Sequence, residues 1–576
     1  MANSHRVAFT CNGRPVDAEV AAGATLLSVL REHLRLTSVK DGCAPQGQCG
    51  CCTVLVDGEP RVACVTPATR VEGRQVTTVE GLDPSQRGGL AAAFVSTGGS
   101  QCGFCTPGIV VRAASLLDKG RTDRVHVDRA LAAHLCRCTG WQTVYEAIEQ
   151  ASTPPSKSTR DLSAAARRAE LEGGTRQSIG VDVPLGAGGF ADDLAPRDAL
   201  VAVPKPPGSE AASVNAAGLE WIVGASLEEA RALAGKVQGR RTTIAEHPPL
   251  GLPPLPAGGV RLATSWVEPA YLEPDASWCE PGGEPATPLA NGGAFGGKAQ
   301  SPVTTAARGL ADQLGRTVRV VFSREDVVRL GPKRPPIAAS AVFAGDSVRI
   351  EGVVVGPVES FSDGVSCRSY DLSTSSTWTS VTVAGPPTSA AARATGLAER
   401  AVLVEGALQE AGVDRAVIVS DDRAASVLLD TCASAGGDTA ALAGARVLID
   451  GDGGIERVEV RVAAGDPLDE VVLRSYCIGA THMALGWVLS EGLAVDPETG
   501  EVLDLTIRSF GVIRPKSTPP IEVTIIDDPG EPAARASDAV FGAVAAAAWN
   551  AVTRADGARP EAFPARGTRA AKKLRA

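Results

Sequence analysis

The chain has 576 residues, too many for one hydrophobic core, and its 44% apolar content suffices for several ordinary globular domains. A net charge of −10 and a pI near 5.4 argue against nucleic acid or an anionic membrane surface as its main partner. Its 63 glycines and 39 prolines signal many turns without reaching a disordered composition.

The N-terminal MANSHRVAFT carries no apolar targeting segment. The longest apolar run, Ala539 to Val552, is alanine-dominated and too short to cross a bilayer, so a cytoplasmic protein with no membrane partner is expected. In a reducing compartment, fourteen cysteines at motif spacings point to metal or catalysis rather than disulfides. The basic tail from Arg566 to Arg575 reads as a solvated end.

Residues 1–80 read as a small sheet domain. Short extended runs flank Asn12-Gly13, Thr25 to Leu34 has helical spacing, and a second hairpin turns at Asp57-Gly58 before reaching Cys64. Between helix and hairpin lies GCAPQGQCGCC, whose Cys43, Cys49 and Cys52, with Cys64, give C-x5-C-x2-C-x11-C. This is one residue longer in its first gap than the plant-type ferredoxin pattern for a 2Fe-2S cluster. Cys51 stays open as an alternative to Cys52, which is preferred because it keeps the two-residue gap.

Residues 81–150 read as helical. Pro107 opens a helix whose Ile109, Val110, Ala113, Leu116 and Leu117 form one apolar stripe, and a second helix from Asp128 runs to Leu135. Cys102, Cys105, Cys136 and Cys138 fall at helix ends, where free backbone amides can stabilise a cluster. Four thiolates at C-x2-C and C-x-C spacing also suit structural zinc; the ferredoxin-like loop upstream tips the reading to iron-sulfur. Residues 151–185 have the composition of a solvated linker. Residues 186–576 mix hairpins, around Gly345 and around Asp450 to Gly454, with helices over Thr304 to Leu314 and Ser389 to Ala411. The glycine-rich loop NGGAFGGKAQ, Asn291 to Gln300, is nearly a P-loop, but Ala299 stands where Ser or Thr must hold Mg; a backbone cradle for another anionic cofactor competes with a plain turn.

Three segments resemble the molybdenum hydroxylases, the xanthine dehydrogenase and aldehyde oxidase group. GQCGCCTVLVDG and QCGFCTPG…LCRCTGW stand almost as that family's iron-sulfur signatures. SWVEPAYLEPDAS with NGGAFGGKAQ resembles the start of its molybdenum-binding domain, and GEPAARASDAVFGAVAAAAW resembles its C-terminal segment. The resemblance implies an α+β chain: a β-grasp 2Fe-2S ferredoxin-like domain, a helical-bundle 2Fe-2S domain, then a mixed α/β molybdopterin-binding-like region shortened to residues 186–576. It implies two 2Fe-2S clusters, a molybdenum-molybdopterin cofactor that includes the cytosine dinucleotide form among its variants, and no FAD in this chain.

By the same resemblance Glu531 is the catalytic base, Gln101 touches the pterin, and Gly292, Gly293, Phe295, Gly296 and Gly530 contact the cofactor. The implied reaction hydroxylates a small-molecule substrate, an aldehyde or purine-like N-heterocycle, with water-derived oxygen, and passes electrons through the clusters to an FAD-binding subunit or other external acceptor. Several family loops have no counterpart here, and Ala294 replaces a glycine. The alternative is therefore an electron-transfer subunit, or a degenerate paralogue whose molybdenum domain is inactive or completed by a partner chain.

Overall fold

The computed structural model describes all residues except 1–3, 152–159, 236–245, 288–292, 295, 360, 362–369, 393, 420, 437–439 and 576. The chain is α+β, as expected. Strands Ser4–Cys11 and Arg14–Ala21 pair antiparallel across the Asn12-Gly13 turn, and Thr53–Val56 pairs with Glu59–Val62 across Asp57-Gly58. Strand Gln75–Thr77 joins the two hairpins, parallel to the first strand and antiparallel to Thr53–Val56, which completes a five-stranded β-grasp sheet. Leu26, Leu27, Val29 and Leu30 on the crossing helix are buried against it because they recur on one face.

Four helices follow: Pro84–Thr97, Thr106–Asp118, Arg124–Leu131 and Gln142–Gln150. The first is capped by Asp83, whose side chain accepts from the Ser85 and Gln86 amides, and ends at Gly98 in the left-handed region. The helix placed over Asp128 to Leu135 begins earlier, at an Asp123 cap, and stops at Leu131. That leaves Leu135 to Trp141 as a loop carrying two cysteines.

The connector differs from its expected solvated state. Asp161 caps a helix, Leu162–Leu171, whose Ala165 and Ala169 pack on Val472 and Tyr476. Arg160 pairs with Asp469 at 2.6 and 2.8 Å, and the fully buried Arg168 pairs with Glu172. Alanine four residues apart makes a narrow face that registers weakly as an apolar period, which is why composition alone reads as a linker.

The remainder contains three sheets. One orders Ala276–Cys279, Val318–Val321, Leu200–Pro204, Leu219–Gly224 and Val214–Ala216; another orders Ser373–Val381, Ser347–Val355, Ile337–Ala344, Gly259–Thr264 and Ala562–Phe563. The third, Thr431–Ser434, Leu442–Ile449, Ile455–Ala463 and Ile521–Ile525, shares a core with helices Leu397–Glu410, Glu470–Leu489 and Ala536–Asp556. The alanine run is the innermost element: Ala539, Ala543 and Ala545 to Ala547 are fully buried, and their small side chains let neighbouring backbones approach closely. The basic tail is not free either. Arg566 donates to the Ser490 carbonyl at 2.8 Å, and helix Arg569–Arg575 buries Ala570, Ala571 and Leu574. Among the described residues no helix is long and apolar enough to cross a membrane.

His482 lies fully buried on helix Glu470–Leu489, with Nε2 at 3.1 Å from the Ile513 carbonyl. Burial, reinforced by the charge of Arg137, pushes its pKa down from 6.5 to about 4. The folded chain therefore holds the imidazole neutral over a range where an unfolded chain protonates it. This contribution is complete above pH 6.5 and is lost as pH falls to about 4, roughly 3 kcal/mol in all. Denaturant titrations across this window should show His482→Gln losing correspondingly less stability than the unsubstituted chain.

Candidate redox centre

The first thiol set is built by the loop between helix and hairpin. Cys43, Cys49, Cys52 and Cys64 are each at most 2% exposed. The Gln48 amide points at Cys43 Sγ at 3.3 Å and the Cys64 amide at Cys52 Sγ at 3.4 Å. Cys43 interacts with Cys49 and Cys64, and Cys64 also with Cys52. Cys51 is buried beside this set: its thiol lies 3.8 Å from the Cys49 carbonyl, interacts with the Cys49 thiol and shares a core with Cys43 and Cys49, whereas Cys52 and Cys64 pack into the sheet domain's core.

In the second set Cys102 and Cys138 place their sulfurs 3.6 Å apart, and Cys105 interacts with Cys136. The Phe104 amide points at Cys102 Sγ at 3.5 Å, and Cys136 Sγ lies 3.1 Å from Thr139 Oγ1. Hydrogen bonds from Cys49 and Cys64 hold the Cys43 thiol well below its usual range; those from Cys105 and Cys138 do the same for Cys136. The donating thiols are pushed up by those bonds and by burial. Loading metal must expel the protons of the donating thiols.

Within each set the four thiols follow one another in contact, Cys49, Cys43, Cys64, Cys52 and Cys105, Cys136, Cys138, Cys102, which suits a two-iron cluster, in which each iron takes two protein ligands and two bridging sulfides. A tetrahedral zinc site needs four donors around one point. Among the described residues no three Cys, His, Asp or Glu side chains converge on a single-ion position. With four thiols in contact in each set and sulfur-directed amides present, the described residues fit two 2Fe-2S clusters.

The two sets share a backbone seam. A Cβ at Gly108, in the first turn of helix Thr106–Asp118, would lie 2.4 Å from the Gly50 carbonyl and 2.9 Å from that of Cys51. The Leu135 amide donates to the Cys49 carbonyl at 2.9 Å. On the far side of the second set, a Cβ at Gly479 would lie 1.8 Å from the Cys138 carbonyl, so helix Glu470–Leu489 presses directly on that loop. On the near side of the first set, Ala44, Pro45 and Cys64 form part of the wall of a cleft of about 780 Å³ that also borders Arg31, Arg35 and Arg231.

Of the other sequence-predicted positions, Gln101 is buried beside the second set and donates to the Cys138 carbonyl and to Ser475 Oγ, both at 2.9 Å. Gly293 and Gly296 have left-handed backbones and pack tightly, on the Arg137 side chain and the Ala391 carbonyl respectively. Ala294 is buried without a positive φ, so the substitution for glycine introduces no strain there. Gly292 and Phe295 lie outside the described residues. Gly530 and Glu531 sit in a loop; Glu531 is exposed, and its carbonyl backs onto Gly465, just before the N-terminus of helix Glu470–Leu489. The glycine loop, through Arg137 and Glu491, adjoins the other end of that 20-residue helix, a length of about 30 Å.

Comparison with known proteins decides the family. Residues 9–78 match the 2Fe-2S iron-sulfur cluster binding domain, and residues 78–149 the 2Fe-2S binding domain of the Fer2_2 type. Isoquinoline 1-oxidoreductase subunit alpha of Brevundimonas diminuta is 40% identical over 148 residues, covering 25% of this chain and 97% of that protein. The chain belongs to the molybdenum hydroxylase family. Caffeine dehydrogenase subunit gamma of a Pseudomonas species is 38% identical over 159 residues, 26% of this chain and 92% of that relative. The solved aldehyde oxidoreductase of Desulfovibrio gigas matches in fold over 99% of this chain and 100% of its own, with a TM-score of 0.75 at 17% identity.

The pterin contact, the glycine loop and the base that the resemblance implies would have to share one centre. Among the described residues they do not converge: Gln101's amide is committed to two protein acceptors, and Glu531 is exposed a helix length from the glycine loop. Sequence reasoning missed Arg137 and Glu491, a buried ion pair beside the second set. The only local signal was an arginine enclosed by Cys136 and Cys138.

The two-residue gap favours Cys52 over Cys51 as the ligand. Cys52→Ser should abolish the electron paramagnetic resonance signal of one cluster and about halve the iron content, whereas Cys51→Ser should retain both.

Proposed function

We propose that this chain is the electron-transferring component of a molybdenum hydroxylase system, with Cys43, Cys49, Cys52 and Cys64 ligating one 2Fe-2S cluster and Cys102, Cys105, Cys136 and Cys138 the other. The observation that carries this reading is the seam at Gly50, Cys51 and Gly108, which joins the two thiol sets through backbone alone. The clusters supply one-electron steps when bound. The chain's own residues do the rest. Amides of Gln48, Cys64 and Phe104 stabilise sulfur charge, and burial keeps water from the thiols. Electrons enter at the second set, which faces the interior, and leave at the first, where Cys64 borders the large cleft open to an acceptor such as a flavoprotein subunit.

The molybdenum-molybdopterin centre, in this reading, is completed by a partner chain. Two observations support that: Gln101 and Glu531 do not share a site among the described residues, and relatives such as isoquinoline 1-oxidoreductase subunit alpha and caffeine dehydrogenase subunit gamma are subunits that this chain covers almost end to end while they span about a quarter of it. The lack of a membrane-crossing helix among the described residues is consistent with work in the cytoplasm.

A second reading is favoured by the fold likeness over nearly the whole chain: hydroxylation of an aldehyde or N-heterocycle within this chain, with Glu531 as base. It requires the exposed Glu531 to be enclosed, since a general base near neutral pH needs a drier setting.

Dye reduction distinguishes the two. Chain purified alone from its native host should show no substrate-dependent reduction, should gain it when the co-purifying subunits are restored, and should keep its rate within about twofold in Glu531→Gln. Stoichiometric molybdenum in the isolated chain, with activity that Glu531→Gln removes, would instead establish the second reading.

A further inference from the structure

Arg137 is the residue between Cys136 and Cys138, and its side chain runs away from the thiols into the C-terminal half. Nε donates to the Pro269 carbonyl at 2.8 Å, and both terminal nitrogens donate to Glu491, Nη2 to Oε2 at 2.6 Å. The two side chains are 5% and 1% exposed, so neither water nor salt screens the pair appreciably. Glu491 immediately follows helix Glu470–Leu489, the element whose Gly479 presses on the Cys138 carbonyl, and a Cβ at Gly486 would meet its carboxylate at 2.2 Å. The pair is thus held from three directions: the thiol loop, the central helix, and Gly293 packed on the Arg137 side chain. Glu268, Arg334 and Trp487 line a small cavity of about 40 Å³ with it.

A buried guanidinium carried on the residue between Cys136 and Cys138 favours the reduced form of a cluster held there, because reduction adds one negative charge in a low-dielectric setting. A bidentate carboxylate on that guanidinium cancels most of the effect. We infer that the Arg137–Glu491 pair sets the reduction potential of the second cluster, with Glu491 as a positioning residue that keeps the cluster from becoming a sink. An electron arriving there then passes on to the first set rather than stopping. The inference rests on the reading of the second set as a 2Fe-2S cluster, and it names a contact 354 residues apart in sequence through which the C-terminal half governs the iron-sulfur half.

The test is a redox titration of the full, iron-loaded chain followed by electron paramagnetic resonance, which reads each cluster separately. Glu491→Gln should raise the midpoint potential of the second cluster, Arg137→Gln should lower it, and the double variant should return it toward the unsubstituted value, with the first cluster unmoved throughout. A purely structural contact would shift both single variants in one direction or shift neither, and either result overturns the inference. Should the single variants fail to load iron, Arg137→Lys, which keeps the charge but loses the bidentate contact, should raise the second cluster's potential, and an unmoved potential overturns the inference. An unsubstituted chain with only one 2Fe-2S signal overturns the cluster assignment itself, an outcome distinct from unshifted potentials.

Discussion

Close backbone contact at two glycines is the constraint on which the rest of the molecule depends. Gly108 lets the helical domain sit on the Gly50–Cys51 peptide, and Gly479 lets the central helix sit on the Cys138 carbonyl. Any side chain at either place would have to displace backbone, so the thiol sets would move apart or the helix would lift from the second set. Electron transfer demands closely spaced centres, and these contacts remove the side-chain layer that ordinarily separates packed elements. The fold of the first 150 residues can be understood as a way of presenting two cysteine loops to one another.

Buried ion pairs then fasten that unit to the remainder. Arg31 binds Asp192 and Asp193 at 2.8 and 3.0 Å, Lys40 also reaches Asp193, and Arg319 holds Glu32 and Asp192. Arg137 with Glu491 does the same along the central helix, where the partly exposed Arg474–Glu146 pair and the connector's Arg160–Asp469 pair add contacts. Such pairs contribute little net stability relative to apolar packing, but removing one partner leaves a buried charge, so they specify a single docking geometry. That geometry places the first set at a large cleft and the second against the central helix.

How much of this was legible from sequence follows from the range of the interactions involved. Cysteine spacing, the Asn12-Gly13 and Asp57-Gly58 turns, and the apolar stripe from Ile109 to Leu116 are local signals, and the sheet and helices that they imply are present. The preference for Cys52 over Cys51 came from the same local spacing. Helix Leu162–Leu171 and the basic tail were misread because their burial rests on single alanines and on arginines that find partners far away in sequence. Gln101 was recognisable as a position, yet not its bond to Ser475, 374 residues on. Glu531 shows the opposite case: a local match of residue type and interval that tertiary packing leaves exposed.

The central claim is that both cysteine sets carry 2Fe-2S clusters in one chain. Iron and acid-labile sulfide analysis of the intact protein, paired with electron paramagnetic resonance after dithionite reduction, tests it most directly. The account requires about four irons and four sulfides per chain and two distinct signals. Half that content with one signal, or a colourless chain holding zinc, would contradict it.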